Sequence, residues 1–139
     1  MPTAKIHVTE GRYDDQKLKR LATAIQGALE DVLKVPPDDY YRIIHELSPN
    51  RFVHTPSFLG LKYSEDLILL ELTFIVGRSR DLKLALLKEL NRRVVEAIGI
   101  SKDDLMVMLY ELPGENISFG QGLAQRAHIS AGLAQSQAT

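Results

Sequence analysis

The hydrophobic pattern of the first third of the chain predicts a strand, a helix and a second strand. Residues 3–9 alternate apolar and polar side chains, which is typical of a strand with one buried face. A helix is expected to begin after Asp14, a good N-cap residue, and to end before the Pro36-Pro37 pair. Its apolar positions form one stripe at helical spacing: Leu18, Leu21, Ala22, Ile25, Ala28, Leu29 and Val32. Residues 40–47 predict the second strand.

A second set of the same elements follows further along the chain. Residues 67–76 predict a third strand, and Ser79 is placed to cap a second helix that ends at Gly99. The inner face of that helix is apolar: Leu86, Leu87, Leu90, Val94, Ala97 and Ile98. Residues 105–112 predict the fourth strand. The order β-α-β therefore occurs twice.

The two sets match each other in sequence, which indicates an internal duplication. Residues 35–47 align with residues 100–112, and both stretches contain an Asp-Asp pair, an apolar centre and a Glu-Leu pair. Upstream, Gly11-Arg12 aligns with Gly77-Arg78. We therefore expect a single domain over residues 2–127. Its predicted parts are repeat one at 2–47, a connector at 48–66, repeat two at 67–112 and a C-terminal segment at 113–127, followed by a flexible tail at 128–139.

The apolar strands of the second repeat predict an assembly. Residues 67–76 and 105–109 are apolar on both faces, and such strands are usually covered on both sides. Right-handed crossovers place both helices on one face of a four-stranded sheet. We therefore expect an α/β (α+β) fold and a homo-oligomer in which another copy covers the second face. The alternative is that the C-terminal segment folds over that face.

Composition excludes several classes of protein and site. The 139 residues carry a net charge of -1 without a basic tract, which argues against nucleic-acid binding. No apolar run approaches the length of a membrane span, and no secretory signal is visible. The absence of cysteine excludes disulfides and thiolate metal sites. We expect a soluble, cytoplasmic protein with no metal and no cofactor.

Pro2 is the residue with the most distinctive chemistry. Removal of Met1 before such a small residue would leave a free secondary amine at the start of the first strand. An α-amino group has a pKa of about 8, and burial or a nearby arginine lowers that pKa. Such an amine can act as a general base near neutral pH. Many proteins begin Met-Pro without using it, so the proline alone decides nothing.

Two stretches carry a family resemblance. Residues 2–17 resemble the opening of 4-oxalocrotonate tautomerase. The duplicated unit, the length and the stretch from Ser118 to Gln125, which begins Ser-Phe-Gly-Gln-Gly, resemble the malonate semialdehyde decarboxylase branch of the tautomerase superfamily. The resemblance implies a trimeric enzyme of β-α-β repeats with an amino-terminal catalytic proline and a small carboxylate substrate.

The resemblance also implies roles for individual residues. Pro2 matches the catalytic proline, and Arg78 matches one arginine of the decarboxylase's substrate-binding pair, whose other member falls on Val76. Asp39 matches the acidic catalytic residue of that branch. The recurrence of its Asp-Asp pair at residues 103–104 is equally consistent with a structural role in a turn.

Four further residues are implied to bind substrate. Arg12 matches a substrate-binding arginine of 4-oxalocrotonate tautomerase, and Tyr41 stands where that enzyme has a second one. Phe119 matches an aromatic residue of the apolar wall, and Ile117 stands where the decarboxylase has a tryptophan. Packing at an interface would explain these two apolar residues equally well.

Three functions remain open on these grounds. In a tautomerase, neutral Pro2 would transfer a proton on a 2-oxo acid held by Arg78, with Arg12 of a neighbouring subunit. In a decarboxylase or hydratase, Asp39 would keep Pro2 protonated so that it polarises a carbonyl. The third possibility is a non-catalytic oligomeric binding protein, because retention of Met1 would turn the Pro2 nitrogen into an amide.

Overall fold

The computed structural model describes residues 1–130 and contains two helices on one face of a four-stranded sheet, as predicted. The elements are β1 (Pro2–Thr9), α1 (Asp15–Leu33), β2 (Tyr41–Leu47), β3 (Ser57–Phe58), β4 (Leu61–Lys62), β5 (Ile68–Ile75), α2 (Arg80–Ile98) and β6 (Leu105–Leu112). Strands β3 and β4 form a small hairpin within the connector. A short 3-10 turn, Gly114–Asn116, follows β6.

Local capping residues set the limits of both helices. The side chain of Asp14 accepts a hydrogen bond from the backbone N–H of Lys17, and Ser79 accepts one from Leu82, so both predicted N-caps are confirmed. Helix α2 ends at Gly99 in the left-handed conformation, as predicted. Helix α1 ends earlier than the prolines, because Lys34 adopts a left-handed conformation with φ of 59°.

The sheet joins two parallel β-α-β units through an antiparallel pair at its centre. The strand order is β2-β1-β5-β6. Strands β1 and β2 are parallel, as are β5 and β6, whereas β1 and β5 are antiparallel with Pro2 opposite Phe74. The duplication therefore appears as two equivalent units related across the β1–β5 pair.

The core lies between the helices and one face of the sheet. Ile6 in β1 and Leu72 in β5 are fully buried, and they face helix residues such as Ile25 and Leu90, which are buried too. Burial of each such side chain is worth about 1.5–3 kcal/mol relative to exposure. Most of the buried residues of the two helices belong to the apolar stripes that the sequence predicted.

The other face of the sheet is open in the single chain. Ile43 is 50% exposed, Met106 is 40% exposed and Tyr110 is 43% exposed. The register places these side chains with Lys5 and His7, opposite the buried residues. The described part of the C-terminal segment touches this face only at its edge, where Phe119 stacks on Tyr41, and it leaves those three apolar side chains exposed. The predicted alternative, in which that segment covers the face, therefore does not hold for residues 113–130.

A polar network crosses the open face. His7 Nε2 lies 2.7 Å from Glu71 Oε2, and His45 Nδ1 lies 3.1 Å from His7 Nδ1. The Tyr110 hydroxyl donates to Glu71 Oε1 at 3.1 Å. All three hydrogen bonds form with neutral rings if His7 donates from Nε2 and accepts from His45 at Nδ1. The network therefore needs only one charge, the Glu71 carboxylate.

Two further features complete the description of residues 1–130. None of their helices is both long and apolar enough to cross a bilayer. They also bring together no group of three potential metal ligands among His, Cys, Asp and Glu. Of the predicted flexible tail, residues 131–139 lie outside the described residues, and Ile129 accepts a backbone hydrogen bond from Gly114.

We expect the network on the open face to make stability depend on pH. The hydrogen bond from His7 lowers the pKa of Glu71 below its ordinary value of 4.5. A carboxylate whose pKa is lower in the folded state stabilises the fold above its ordinary pKa and loses that effect as the pH falls. Urea unfolding at constant protein concentration should show the free energy of unfolding decreasing from about pH 6 to about pH 3.

Replacement of Glu71 by glutamine provides the comparison. Glu71→Gln should make this decrease smaller, whereas Glu10→Gln, a change at an exposed position, should leave it as in the unmodified chain. Equal decreases in all three proteins would show that Glu71 does not cause the acid sensitivity.

Candidate active site

The start of β1 and the end of β5 meet at one edge of the sheet. Because these strands are antiparallel, buried Pro2 lies opposite Phe74, and Arg78 follows in the turn after β5. The guanidinium carbon of Arg78 lies 5.7 Å from the centre of the Phe74 ring. The central strand pair therefore brings Arg78 to the beginning of the chain.

Asp39 reaches the same edge from the first repeat. It precedes β2, which runs parallel to β1 with Tyr41 opposite Thr3. Its carboxylate forms an ion pair with the amino group of Met1, whose side chain is 2% exposed. The acid that the resemblance singled out therefore contacts the amine of the chain.

Two cavities adjoin this ion pair. The smaller has a volume of about 220 Å³, and its lining includes Met1, Asp39, Val76, Arg78 and Arg126. The larger has a volume of about 510 Å³, and its lining includes Met1, Asp39, Tyr41, Phe119 and Arg126. Four predicted site residues therefore surround the chain start, and Pro2 follows Met1 directly.

Arg78 is held in place but has no carboxylate partner. Its Nη1 donates to the carbonyl oxygen of Ile75 at 3.0 Å. Burial lowers the pKa of Arg78, while the nearby Glu111 and Asp39 carboxylates act in the opposite direction. Within residues 1–130, no carboxylate oxygen lies within 4.0 Å of this guanidinium. An arginine stays charged under these conditions, so its donors remain available to an anion.

The segment after β6 positions Phe119. The amide group of Gln125 bridges this turn, since its Oε1 accepts from the Phe119 N–H and its Nε2 donates to the Gly120 carbonyl, both at 3.0 Å. The Phe119 ring stacks on Tyr41 with their centres 6.4 Å apart. Ile117 is half-buried and lines neither cavity.

Arg12 lies at the opposite end of β1. Its guanidinium binds Asp66 Oδ1 at 2.8 Å and Glu65 Oε2 at 3.4 Å. An eight-residue strand is roughly 25 Å long, so Arg12 and Pro2 of one chain cannot contact the same small substrate. Of the predicted site residues, Arg12 is the one that the fold separates most clearly from the others.

Arg126 is a candidate site residue that sequence reasoning missed. It lines both cavities, although no predicted role fell on it. The available signal was its position directly after Gln125, the last residue of the stretch that resembles the decarboxylase branch.

Comparison with known proteins identifies the family of the chain. Two family models described as "Tautomerase enzyme" match residues 39–120 and residues 2–61. The chain belongs to the tautomerase family. The "Probable tautomerase YusQ" of Bacillus subtilis (strain 168) is 30% identical over 125 residues, which cover 90% of this chain and 98% of that protein.

Solved structures of tautomerase-family proteins share the fold. A malonate semialdehyde decarboxylase is similar with a TM-score of 0.81 and 31% identity, covering 91% of this chain and 96% of the other. This likeness confirms the predicted branch of the superfamily. A fused 4-OT described as a symmetric trimer has a TM-score of 0.71 at 23% identity, covering 96% and 98%, and it shares the fold.

The tautomerase repeat produces two equivalent ends of the sheet. At the second end, Asp104 is 3% exposed and accepts hydrogen bonds from the N–H and hydroxyl of Ser64, just before β5. Asp39 holds Met1 just before β1 in the same way. Arg12 occupies the position equivalent to Arg78, but Asp66 neutralises it. Of these two arginines, Arg78 alone lacks a carboxylate partner among the described residues.

We expect Asp104 to be a structural residue. Asp104→Ala removes two hydrogen bonds to a buried carboxylate, and hydrogen bonds to charged groups contribute about 1.5–3 kcal/mol. The free energy of unfolding, measured by urea denaturation, should therefore fall by about 2–3 kcal/mol.

Asp38→Ala is the matched control because Asp38 is exposed in the corresponding pair of the first repeat. Its effect should stay within about 0.5 kcal/mol. Similar losses in the two variants would contradict the structural role of Asp104.

Proposed function

We propose that this tautomerase-family chain isomerises small 2-oxo or enol carboxylic acids, with the Pro2 nitrogen as general base after removal of Met1. The observation that carries the proposal is the cavity of about 220 Å³ that Met1 and Arg78 line together. It combines the start of the chain with a guanidinium that has no carboxylate partner within residues 1–130. Such a pairing suits a substrate that has an acidic C–H bond and a carboxylate.

The proton transfer needs an uncharged Pro2 amine. Because Met1 lines both cavities, its removal would bring the Pro2 nitrogen to their surface. The amine lone pair takes a proton from one atom of the enol or 2-oxo acid, and the bonding electrons shift through the conjugated system. The resulting ammonium returns the proton to a different carbon or oxygen atom of the same conjugated system. No proton, water or electron is gained or lost overall.

Arg78 binds the substrate carboxylate in this mechanism. A guanidinium can donate two parallel hydrogen bonds to a carboxylate, which fixes the orientation of the substrate. Tyr41 and Phe119 would form an aromatic wall beside the amine. Exclusion of water by that wall strengthens the electrostatic interactions of the site. Ile117 has no direct part, and Arg12 of the same chain is occupied by Asp66.

A decarboxylase or hydratase is the second candidate. It is favoured by the contact between Asp39 and the chain amine, and by the 31% identity to a malonate semialdehyde decarboxylase. Asp39 would raise the pKa of the Pro2 amine, so that a protonated Pro2 polarises the carbonyl of a β-keto acid. Val76, where that branch has its second arginine, weakens this candidate.

Replacement of Pro2 tests the general base. Pro2→Ala should reduce turnover of an enol pyruvate by about 100-fold or more, because general-base catalysis contributes at least that factor. Turnover is measured as the loss of the ultraviolet absorbance of the enol. Pro37→Ala, an exposed proline outside both cavities, should retain turnover.

Intact-mass measurement on the native protein belongs with this assay. A mass that includes Met1, or equal turnover by Pro2→Ala, would overturn the enzymatic proposal. The non-catalytic oligomeric binding protein would then be the better description.

A titration separates the two enzymatic candidates. Nitrogen-15 NMR of labelled proline should give a pKa below about 7 for the Pro2 amine if it acts as a base. A pKa well above neutral would favour decarboxylation or hydration. In that case Asp39→Asn should lower the pKa, because it removes the charge beside the ammonium.

We propose that three copies assemble through their open sheet faces. Support comes from the exposed apolar side chains of that face, including Ile43 and Met106, and from a fused 4-OT of the same fold described as a symmetric trimer. Burial of these side chains would supply the driving force for association.

A charge on the open face should disrupt the trimer. Light scattering coupled to size exclusion should give three times the chain mass of 15.6 kDa for the unmodified protein and a smaller mass for Ile43→Lys. Leu84→Lys places the same charge on an exposed position of helix α2 and should leave the trimer intact. An unchanged mass for Ile43→Lys would show that this face is not the interface.

A further inference from the structure

We infer that Arg126 supplies a second guanidinium that holds the substrate carboxylate together with Arg78. This inference rests on the proposed function, since it concerns the small carboxylate substrate of the same site. Both arginines line the smaller cavity, one from the end of β5 and the other from the C-terminal segment. Val76 lines it too, so an apolar side chain stands where the resemblance implies an arginine.

Charge distinguishes the two cavities. The smaller is lined by three cationic side chains, Lys34, Arg78 and Arg126, and by one carboxylate, Asp39. The larger is lined by two carboxylates, Asp38 and Asp39, and its one cationic side chain among residues 1–130 is that of Arg126. A substrate carboxylate is therefore attracted to the smaller cavity. The rest of the substrate would then extend past the chain start towards the larger one.

The backbone around Arg126 is fixed by a close approach to Gly114. A Cβ atom at position 114 would lie 1.6 Å from the carbonyl oxygen of Arg126, so only glycine fits. The N–H of Ile129 donates to that same oxygen at 2.9 Å, and the N–H of Gly114 donates to the carbonyl of Ile129. These contacts fold the segment back against the end of β6 and keep Arg126 beside the cavity.

Among the described residues, the guanidinium of Arg126 also lacks a carboxylate partner. Within residues 1–130, no carboxylate oxygen lies within 4.0 Å of its guanidinium. Two arginines of helix α2 differ in this respect, because both form ion pairs. Arg92 pairs with Glu89 and Glu96, and Arg93 pairs with Glu89 and Asp31. An exposed arginine without a carboxylate partner, at a cavity with excess positive charge, is suited to bind an incoming anion.

Binding of an inert carboxylate tests the inference directly. Backbone amide shifts of the full chain, followed by NMR, give the Kd for butanoate and for butanamide, which has the same shape without the charge. Arg126→Ala should raise the Kd for butanoate about tenfold, in line with the loss of a charged hydrogen bond, and leave the Kd for butanamide unchanged. Arg126→Lys should restore part of the affinity.

Two control variants make the result specific. Arg20→Ala removes an exposed arginine from helix α1 and should leave the butanoate Kd unchanged. Lys34→Ala should have a smaller effect than Arg126→Ala, because an ammonium lacks the paired donors of a guanidinium. Equal butanoate affinities in the unmodified chain and Arg126→Ala, or a larger loss in Lys34→Ala, would overturn the inference.

Kinetics separate a failure of this inference from a failure of the proposed function. If Arg126 binds the carboxylate in ground state and transition state alike, Arg126→Ala raises KM for the enol pyruvate and leaves kcat nearly unchanged. Pro2-dependent turnover with unchanged KM and butanoate Kd in Arg126→Ala refutes the role of Arg126 alone. Arg126-dependent butanoate binding without Pro2-dependent turnover refutes the proposed isomerase and supports the carboxylate site.

Discussion

The antiparallel pairing of β1 with β5 is the constraint on which the rest of the structure depends. It joins the two β-α-β units into one sheet with a continuous core and sets Pro2 opposite Phe74. The start of the chain therefore lines one cavity with Arg78, which follows the first strand of the other repeat. Neither repeat alone brings an amine and a guanidinium together, so the site is a product of the duplication.

The repeat symmetry also explains the two roles of the paired aspartates. Asp104 fixes the chain before β5 through Ser64, and Asp39 makes the equivalent contact with the amine before β1. The same local geometry therefore holds backbone and a hydroxyl at one end and a free α-amino group at the other. The Arg12–Asp66 ion pair shows that this position of the repeat can hold a carboxylate.

Features determined by neighbouring residues were predictable from the sequence, whereas features determined by distant ones were not. The caps at Asp14 and Ser79 and the helical stripes depend on local spacing, and the structure confirms them. The pairing of Arg12 with Asp66 joins residues far apart in the chain. The place of Arg126 depends on a backbone contact at Gly114, which leaves no periodic signal in the sequence. The family resemblance singled out Asp39 and Arg78 as candidate site residues, and the fold brings both to the start of the chain.

The position of the amine has a consequence for stoichiometry. A polypeptide has a single α-amino terminus, whereas the fold has two equivalent ends, and at the second of these the backbone continues through Ser64 into β5. An assembly of identical chains would therefore contain as many reactive amines as chains, and only half as many as repeats. In the proposed mechanism the second end supplies no amine, and the Asp104–Ser64 contact there joins two stretches of continuous backbone.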